Sequence, residues 1–355
     1  MFDSLSLPIL IAIFVAAAAA VWVAGTNLSN TTDLLSSRFG LGQALGGLIL
    51  LAIATNLPEI AITISAALTR NLGIAIGNIL GGIAIQTVVL VILDFFGVRA
   101  RRPLTYMAVS LTLVLEGVLV VAVLVVTIMG TQFPASLIVA RVDPSALLIA
   151  ALWLVGLWLL GKARTDLPWY AKGDAPGGQE PSDTATARAK KDSADKGKST
   201  AREVVVFLVA AAITLVAGVA LEESGNSIAG HIGMTGVLFG ATFLAAATSI
   251  PELSTGLASV KLGDYQLAVS DIFGGNAFLP TLFLLADLFS GQAVLPRAQR
   301  TDIYLAGLGV LLTTVYLYGL IFRPQRQILR MGVDSLVVLL LYALGMVGLV
   351  AVAHG

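Results

Sequence analysis

The stretch AIATNLPEIAI, at residues 52–62, places a Thr, an Asn, a Pro and a Glu in the middle of a long apolar run. The stretch AAATSIPELST, at residues 245–255, repeats the pattern with Ser in place of Asn. A carboxylate at the centre of a membrane span costs about 2.5–3.5 kcal/mol on insertion scales, so an acidic residue in this setting is a functional candidate. Because the setting occurs twice, the two stretches predict one site built from two halves.

Composition indicates a polytopic membrane protein. Of the 355 residues, 57% are hydrophobic and 12% are charged, and the mean hydropathy is +0.93. Apolar runs of about 18 residues or more recur along the chain, so we expect it to be surrounded by membrane lipid. The net charge is zero, which removes any electrostatic case for nucleic acid, and the absence of Cys excludes disulfides and thiolate metal sites.

Apolar segments bounded by charged residues, Gly or Pro predict about ten transmembrane helices. They are expected near residues 7–25, 40–67, 72–97, 104–129, 145–162, 203–221, 234–260, 265–290, 302–321 and 334–353. Residues 165–202 are rich in Pro, Gly, Ser, Asp and Lys and lack an apolar period, which predicts a disordered linker. The linker separates residues 1–164 from residues 203–355, with five spans in each part.

The distribution of Lys and Arg predicts the orientation of the chain, because cytoplasmic loops carry an excess of these residues. With the N-terminus outside, the inner loops hold 17 of the 21 basic residues, nine of them from Lys162 to Arg202. Both termini are then external and the linker is cytoplasmic. We therefore expect a multi-pass protein of the cell membrane.

An internal repeat relates the two halves, since a shift of 193 residues aligns them without a gap for more than fifty positions. The matches include Thr55 with Thr248, Pro58 with Pro251, Glu59 with Glu252, and Asp94 with Asp287. An odd number of spans in each half makes the halves cross the membrane in opposite directions, as in secondary transporters, whose substrate sites lie near the midplane. The sequence predicts an all-α membrane protein of about ten transmembrane helices in two inverted five-helix repeats.

The prolines predict a break in each helix, because proline has no N–H and its ring clashes with the carbonyl four residues earlier. Backbone that is not helical survives at this depth only inside the protein or beside a cavity, and its free carbonyl oxygens are ligands for hard cations. Thr55 and Thr248 lie one helical turn before Glu59 and Glu252, on the same face. Two carboxylates, two hydroxyls and several carbonyls form an all-oxygen set that suits Ca²⁺.

The following span of each repeat contains a glycine pair, in GNILGG at 77–82 and in SDIFGGN at 270–276. Paired glycines let helices approach closely. Asn78 and Asp271 occupy equivalent repeat positions, and Asp271 is a third intramembrane carboxylate near the expected site. Asp94 and Asp287 lie near span ends, which favours capping or interface pairing over transport.

These motifs resemble the two alpha-repeats of the cation/Ca²⁺ exchanger superfamily, which includes the Na⁺/Ca²⁺ exchangers. TNLPE and TSIPE, each followed about twenty residues later by a segment ending in GG, carry the resemblance. It implies that Glu59 and Glu252 bind Ca²⁺ and the counter-ion in turn. The metal ligands that it implies are the Glu59 and Glu252 carboxylates and the Thr55 and Thr248 hydroxyls. It also places the carbonyls of Ala52 and Ala245 among the cation ligands.

The chain departs from the family pattern at several positions that carry side-chain oxygens in the family. Gly82 and Gly275 stand where the family has Ser, and Gln86 and Leu279 stand where Asn or Asp is usual. The remaining candidate cation-binding residues are Asn56 and Ser249, which follow the threonines, and then Asn78, Asp271, Gln86 and Asn276. The missing oxygens make coupling to three Na⁺ doubtful and favour H⁺ or a different cation.

The sequence predicts a secondary active transporter, not an enzyme, that exchanges Ca²⁺ or a related cation for Na⁺ or H⁺ by alternating access and needs no cofactor. An antiporter for another cation and a passive cation channel are the alternatives, since pores also use acidic rings. The inverted repeat with broken helices favours alternating access over a channel. An intramembrane aspartyl protease would need Asp where this chain has Glu.

Overall fold

The computed structural model describes residues 2, 4–38, 53–98, 102–138, 141–163, 168 and 199–354. Its helices in this part are α1 (Leu7–Arg38), α2 (Leu57–Thr69), α3 (Leu72–Ile92), α4 (Leu104–Met107), α5 (Leu111–Gly130), α6 (Pro144–Ala163), α7 (Thr200–Ile232), α8 (Gly236–Phe239), α9 (Ala245–Thr248), α10 (Ile250–Lys261), α11 (Tyr265–Phe278), α12 (Leu282–Ser290), α13 (Arg300–Phe322) and α14 (Val333–His354). Short π-helical turns at Leu93–Gly97 and Gly240–Leu244 continue α3 and α8.

These helices confirm the predicted fold class. Eight helical segments within the described ranges are long and apolar enough to cross a membrane, and the bent segment from α8 to α10 supplies a ninth. The second predicted span begins in residues 40–52, outside the described residues, and continues as the helical residues 53–55 and α2. Large apolar side chains such as Val216, Phe322 and Val347 are exposed, as lipid-facing residues are.

Two predicted spans are too short, because α1 and α7 continue well past residues 25 and 221. The polar residues that follow the apolar runs hydrogen-bond to carbonyls of their own helix and so do not end it. Thr26 donates to the Trp22 carbonyl at 2.8 Å, and Ser224 donates to the Ala220 carbonyl at 2.5 Å. The start of α7 at Thr200 also lies inside the predicted linker, whose other residues, apart from 168 and 199, are outside the described part.

Two other spans are interrupted. The predicted fourth span contains the short α4 and then a new start at α5, where the Ser110 side chain accepts from the Thr112 N–H as an N-cap. The eighth span changes to a 3₁₀ turn at Leu279–Thr281, which contains Pro280, before α12 continues to Ser290. Local capping and proline chemistry divide each apolar run, which is why hydropathy gave one span in each place.

The two repeats are interleaved around the broken helices. The long helices α1 and α7 pack side by side, α2 packs against α7, and α10 packs against α1. Each broken helix therefore contacts the first helix of the opposite repeat. The larger apolar core surrounds α3 and α11, with α5 and α13 against them.

A β-hairpin precedes α14, formed by β1 (Gln327–Ile328) and β2 (Met331–Gly332), with Gln327 paired to Gly332. Its two turn residues, Leu329 and Arg330, have φ of 53° and 67°, the positive values of a type I′ turn. Strands of two residues have no sequence period, so the hairpin was not predicted. It brings Gly332 to the end of α3.

The Asp94 carboxylate joins the end of α3 to this hairpin. It accepts hydrogen bonds from the backbone N–H groups of Leu104 at 2.8 Å and Gly332 at 2.7 Å. The Ser335 hydroxyl donates to it at 2.7 Å. The capping role predicted for Asp94 is confirmed, and it links the first repeat to the last helix of the second.

Asp287, the repeat partner of Asp94, makes the reciprocal connection. Its carboxylate accepts from the backbone N–H groups of Val294 at 2.9 Å and Asp143 at 2.8 Å. Asp143 immediately precedes α6, the last helix of the first repeat. Each repeat therefore holds the start of the other repeat's final helix through one buried aspartate.

Candidate cation-binding site

Both TxxPE stretches break their helices immediately before the proline, as predicted. Residues 53–55 are helical, Asn56 forms a turn, and α2 begins at Leu57 with Pro58 in its first turn. In the second repeat α9 ends at Thr248 and α10 begins at Ile250, with a bend of 42° between the segments. Proline suits the first turn of a helix because the N–H that it lacks has no acceptor there.

The break places Glu59 and Glu252 in the first turns of α2 and α10, where the helix dipole favours a negative charge. Glu59 is 0% exposed and Glu252 is 4% exposed. Within the described part of the chain, neither carboxylate accepts a hydrogen bond of standard geometry. A buried carboxylate is costly unless it is paired or protonated, so both groups are candidates for binding a cation or a proton.

The fold brings the two glutamates into one electrostatic environment. Glu252 interacts with Glu59 across the repeats and with Asp271 on α11. The Thr248 hydroxyl of the second repeat lies beside the Glu59 carboxylate of the first, and it donates to the Ala245 carbonyl at 3.3 Å. The fold therefore brings residues of the two halves together, and one site built from both remains a prediction.

A contact between repeat partners marks the position of the pseudo-twofold axis. The Asn276 side-chain amide donates to the Ile83 carbonyl, 193 positions away, at 3.4 Å, and to the Thr87 hydroxyl at 3.3 Å. Residues related by a twofold axis touch only when both lie close to it. The second halves of the two repeat motifs thus meet at the axis.

The two sides of this axis differ in polarity. A Cβ on Gly275 would lie 3.3 Å from Oε1 of Gln86 and 3.7 Å from Nδ2 of Asn56. The repeat-related position, a Cβ on Gly82, would lie 3.4 Å from Cδ1 of Leu279. The position at Gly275 therefore faces amides, whereas the repeat-related position at Gly82 faces a leucine methyl group.

Several polar atoms in this region are buried and make no hydrogen bond within the described residues. They are both amide atoms of Asn78 and of Gln86, Oδ1 of Asn276, and the Thr63 hydroxyl one turn after Glu59. Leaving a buried polar group unsatisfied costs about 1–3 kcal/mol. Their burial within the repeat motifs indicates a polar interior between the two repeats.

The other predicted residues have varied surroundings. The Ala245 carbonyl accepts from the Ser249 N–H at 3.1 Å and the Ser249 hydroxyl at 2.7 Å, so the chain itself engages that oxygen. The Thr55 hydroxyl accepts from the Asn56 side chain at 3.3 Å, and Asp271 accepts from Thr255 at 3.1 Å. Ala52 lies outside the described residues.

Asn78 lies where α3 crosses the π-helical turn of the seventh span, beside Gly240. Gly81 contacts the Ala241 backbone closely at the same crossing, so this glycine serves helix packing. Among the described residues, no group of three or more His, Cys, Asp or Glu side chains fits a metal ion. A metal at this site would therefore need hydroxyl, amide or carbonyl ligands in addition to carboxylates.

Sequence reasoning missed a pair of glycines that support the two breaks. A Cβ on Gly25 of α1 would lie 2.8 Å from Cγ of Pro251, and a Cβ on Gly218 of α7 would lie 3.1 Å from the Pro58 carbonyl oxygen. The signal was present, because VAG at 23–25 and VAG at 216–218 are also 193 positions apart. The repeat therefore extends into the first helix of each half.

It also missed Glu222, a carboxylate late in α7 that is 0% exposed. Glu222 accepts from the Ser65 hydroxyl at 2.8 Å and from the Asn71 side chain at 3.2 Å. Ser65 lies on α2, six positions after Glu59. The sequence signal for Glu222 was a carboxylate directly after a long apolar run. The repeat partner of Glu222 is Ser29, so this carboxylate occurs in one repeat alone.

Comparison with protein families agrees with the resemblance carried by the two TxxPE motifs. The model of the sodium/calcium exchanger protein family matches residues 9–162 and 202–351, most of the chain. The putative antiporter CaxA of Alkalimonas amylolytica is 28% identical over 279 residues, covering 78% of this chain and 77% of that protein. The inner membrane protein YrbG of Escherichia coli K12 is 26% identical over 281 residues, covering 78% of each protein.

Solved structures share the fold. The crystal structure of the H⁺/Ca²⁺ exchanger CAX superposes with a TM-score of 0.68 and 16% identity, covering 96% of this chain and 82% of that one. A structure of the sodium–calcium exchanger NCX_Mj superposes with a TM-score of 0.60 and 16% identity, covering 95% and 97%. At this identity the likeness concerns the fold.

Proposed function

The chain belongs to the sodium/calcium exchanger protein family, and on this premise we propose that it is an antiporter that exchanges Ca²⁺, or a related cation, for H⁺ or Na⁺. The observation that carries the proposal is the shared buried environment of Glu59 and Glu252, repeat partners whose carboxylates interact with each other. Two such carboxylates require either a divalent cation between them or protons on them. Exchange follows because the two occupants compete for the same oxygens.

Access to the site alternates between the two sides of the membrane. Inverted repeats support this cycle, since one half can move against the other around a fixed site. The packing of α2 on α7 and of α10 on α1 gives each half of the site a contact with a first helix. Together these contacts allow both halves of the site to respond to movement of α1 and α7.

The ligands that we assign to the cation are the carboxylates of Glu59 and Glu252 with the hydroxyls of Thr55 and Thr248. Thr248 supports this assignment because its hydroxyl already lies beside Glu59. Asn56 and Ser249 are the adjacent oxygen donors. The carbonyls of Ala52 and Ala245 complete the proposed set, and binding through Ala245 requires it to release the Ser249 donors.

We assign H⁺ rather than Na⁺ as the preferred counter-ion. A metal ion such as Na⁺ needs several oxygen ligands, whereas a proton needs a single carboxylate oxygen. Leu279 lies against Gly82 on one side of the axis, and the amides of Gln86 and Asn56 are the described groups nearest Gly275 on the other. This shortage of side-chain oxygens supports coupling through protonation of the glutamates.

The charge distribution supports an orientation with both termini outside and residues 165–202 in the cytoplasm. Residues 1–164 and 203–355 form the two repeats in this arrangement, and residues 165–202 link them. The cell membrane is the proposed location. A cysteine introduced at Ser182, in a chain that has no native cysteine, tests the orientation: an impermeant thiol reagent should label it only after the cells are opened.

Vesicles that contain the purified protein test the proposed exchange. We expect Ca²⁺ uptake driven by an outward H⁺ gradient, and weaker uptake driven by an equal Na⁺ gradient, with the membrane potential clamped. Uptake that depends only on the Ca²⁺ gradient would instead identify a channel. Uptake driven only by Na⁺ would refute the assignment of H⁺ and leave the antiport proposal intact.

Glu59→Gln and Glu252→Gln should each abolish this uptake in folded protein. Glu116→Gln is the matched control, because Glu116 is also a buried intramembrane carboxylate but bonds to Ser270 on α11 at 3.0 Å. We expect the control to keep transport. Normal transport by either of the first two variants contradicts the proposed site.

A further inference from the structure

Each repeat has a Val-Asp pair at the start of its final helix, and the two aspartates differ in their hydrogen bonds. VD at 142–143 precedes α6, and VD at 333–334 begins α14. The Asp143 carboxylate accepts from the Ser145 N–H at 3.2 Å and from the Ser145 hydroxyl. Neither oxygen of Asp334 accepts a hydrogen bond of standard geometry from a described residue. Asp143 is thus hydrogen-bonded at standard geometry, whereas the donors nearest Asp334, which include the Ser335 N–H, are not.

Asp334 lies beside a second carboxylate in the interior. Asp334 is 6% exposed and Asp94 is 1% exposed. A Cβ on Gly332 would contact Oδ1 of Asp334 and would lie 3.3 Å from Oδ2 of Asp94, so both carboxylates border the same glycine. Asp94 is held by its three donors, which leaves Asp334 as a second negative charge next to a fixed one.

A third oxygen faces the same place. The Thr105 hydroxyl is buried and lies beside the Asp334 carboxylate, and it too makes no hydrogen bond of standard geometry within the described residues. The basic side chain at the end of α13 is directed elsewhere, since Arg323 donates to the Tyr106 carbonyl at 3.1 Å and lies over the Tyr106 ring. Among the described residues, no basic side chain hydrogen-bonds to Asp334, so a cation bound from solution would neutralise the pair of carboxylates.

We propose that Asp94, Asp334 and Thr105 form a second cation site, separate from Glu59 and Glu252, that binds a hard divalent cation. Two carboxylates and a hydroxyl are the all-oxygen ligands that Ca²⁺ accepts, with water completing the coordination. The two negative charges match a divalent ion. The site lies between the end of α3 and the first turn of α14, so the bound ion cross-links the two repeats at one end of the bundle.

Binding measurements on the purified full chain separate this site from the transport site. In a Glu59→Gln, Glu252→Gln background, titration with Ca²⁺ alone by calorimetry should still detect one bound ion per chain. Adding Asp334→Asn should weaken that binding by about tenfold or more, because a carboxylate ligand is lost. Adding Asp143→Asn is the matched control and should leave the affinity unchanged. Thr105→Val, which keeps both carboxylates, should weaken binding to a smaller extent.

Three results overturn the inference, and none of them bears on exchange. If the Glu59→Gln, Glu252→Gln protein binds no Ca²⁺, a second site for this ion is excluded. Titration with Mg²⁺ in the same way tests the other common hard divalent cation. Equal losses from Asp334→Asn and Asp143→Asn identify a folding effect. If Asp334→Asn raises the melting temperature without any change in Ca²⁺ binding, the two carboxylates share a proton. Failure of the transport proposal would appear differently, as full Ca²⁺ transport in the double-glutamine protein.

Discussion

Gly218 of α7 lies directly against Pro58 of the second span: a Cβ at this glycine would come within 3.1 Å of the proline carbonyl oxygen and 2.7 Å of the Ala61 Cβ. Gly218→Val should therefore force the break and α7 apart, at a cost of about 1–3 kcal/mol for overpacking. We expect a lower melting temperature in detergent and reduced exchange. Gly307→Val is the control, because a Cβ at Gly307 meets no atom within 4 Å. If Gly218→Val and Gly307→Val had the same melting temperature and exchange rate, α7 and the break would be shown to move apart without cost.

The prolines determine where the helices break. Pro58→Ala restores an N–H that lets the helix continue through Asn56, so the Glu59 carboxylate should leave its position near Thr248. We expect slower exchange with little change in melting temperature, measured on the same preparation. Pro8→Ala makes the same change in the first turn of α1 and should leave exchange intact. Unchanged exchange in Pro58→Ala would mean that the surrounding packing alone holds the break open.

Gln86 and Leu279 occupy related positions with opposite polarity. Gln86→Leu removes the one long amide from the polar half of the site and should raise the half-saturating Ca²⁺ concentration by about tenfold, equivalent to about 1.4 kcal/mol. Leu279→Gln adds an amide opposite it and should increase uptake driven by Na⁺. Both effects are measured in vesicles under the two gradients. If the Leu279→Gln variant kept its preference for H⁺, residue 279 would not determine the choice of counter-ion.

The Ser65 hydroxyl holds the Glu222 carboxylate at 2.8 Å across α2 and α7. Ser65→Ala leaves Asn71 as the remaining side-chain donor to that carboxylate. Loss of a hydrogen bond to a charged group costs about 1.5–3 kcal/mol, which thermal unfolding should detect. Ser224→Ala, whose hydroxyl bonds only to carbonyls of its own helix, should have a smaller effect. Equal decreases in melting temperature for the two variants would mean that another donor replaces the Ser65 hydroxyl at Glu222.

The number and arrangement of the helices could be read from the sequence because both depend on features that extend over long stretches. Transmembrane helices are long apolar runs, and an ungapped repeat that includes Thr, Pro and Glu relates the halves. The predicted helix ends were less accurate because the true ends depend on local hydrogen bonds. The bonds of Thr26 and Ser224 to their own helices extend α1 and α7 beyond the apolar runs.

The site was predicted in part for a related reason. Glu59 and Glu252 are conspicuous because a carboxylate in an apolar run is rare. The contacts of Gly25 and Gly218 depend on which helices are neighbours, and a glycine in a membrane helix gives no indication of its partner. The same holds for Glu222, whose donors come from another helix. The linker at 165–202 and the limits of the two repeats remain predictions.

The polar and apolar halves around Gln86 and Leu279 have a consequence for the energy of the transport cycle. In the proposed alternating-access cycle, two identical inverted halves would exchange roles when access switches sides, so the inward-open and outward-open forms would be related by a twofold rotation and equal in free energy. Leu279 opposite Gln86, and Ser29 opposite Glu222, remove that equality. Under the proposed cycle, the empty protein would therefore prefer one side of the membrane, and positions at which the repeats differ would set the direction of that resting preference.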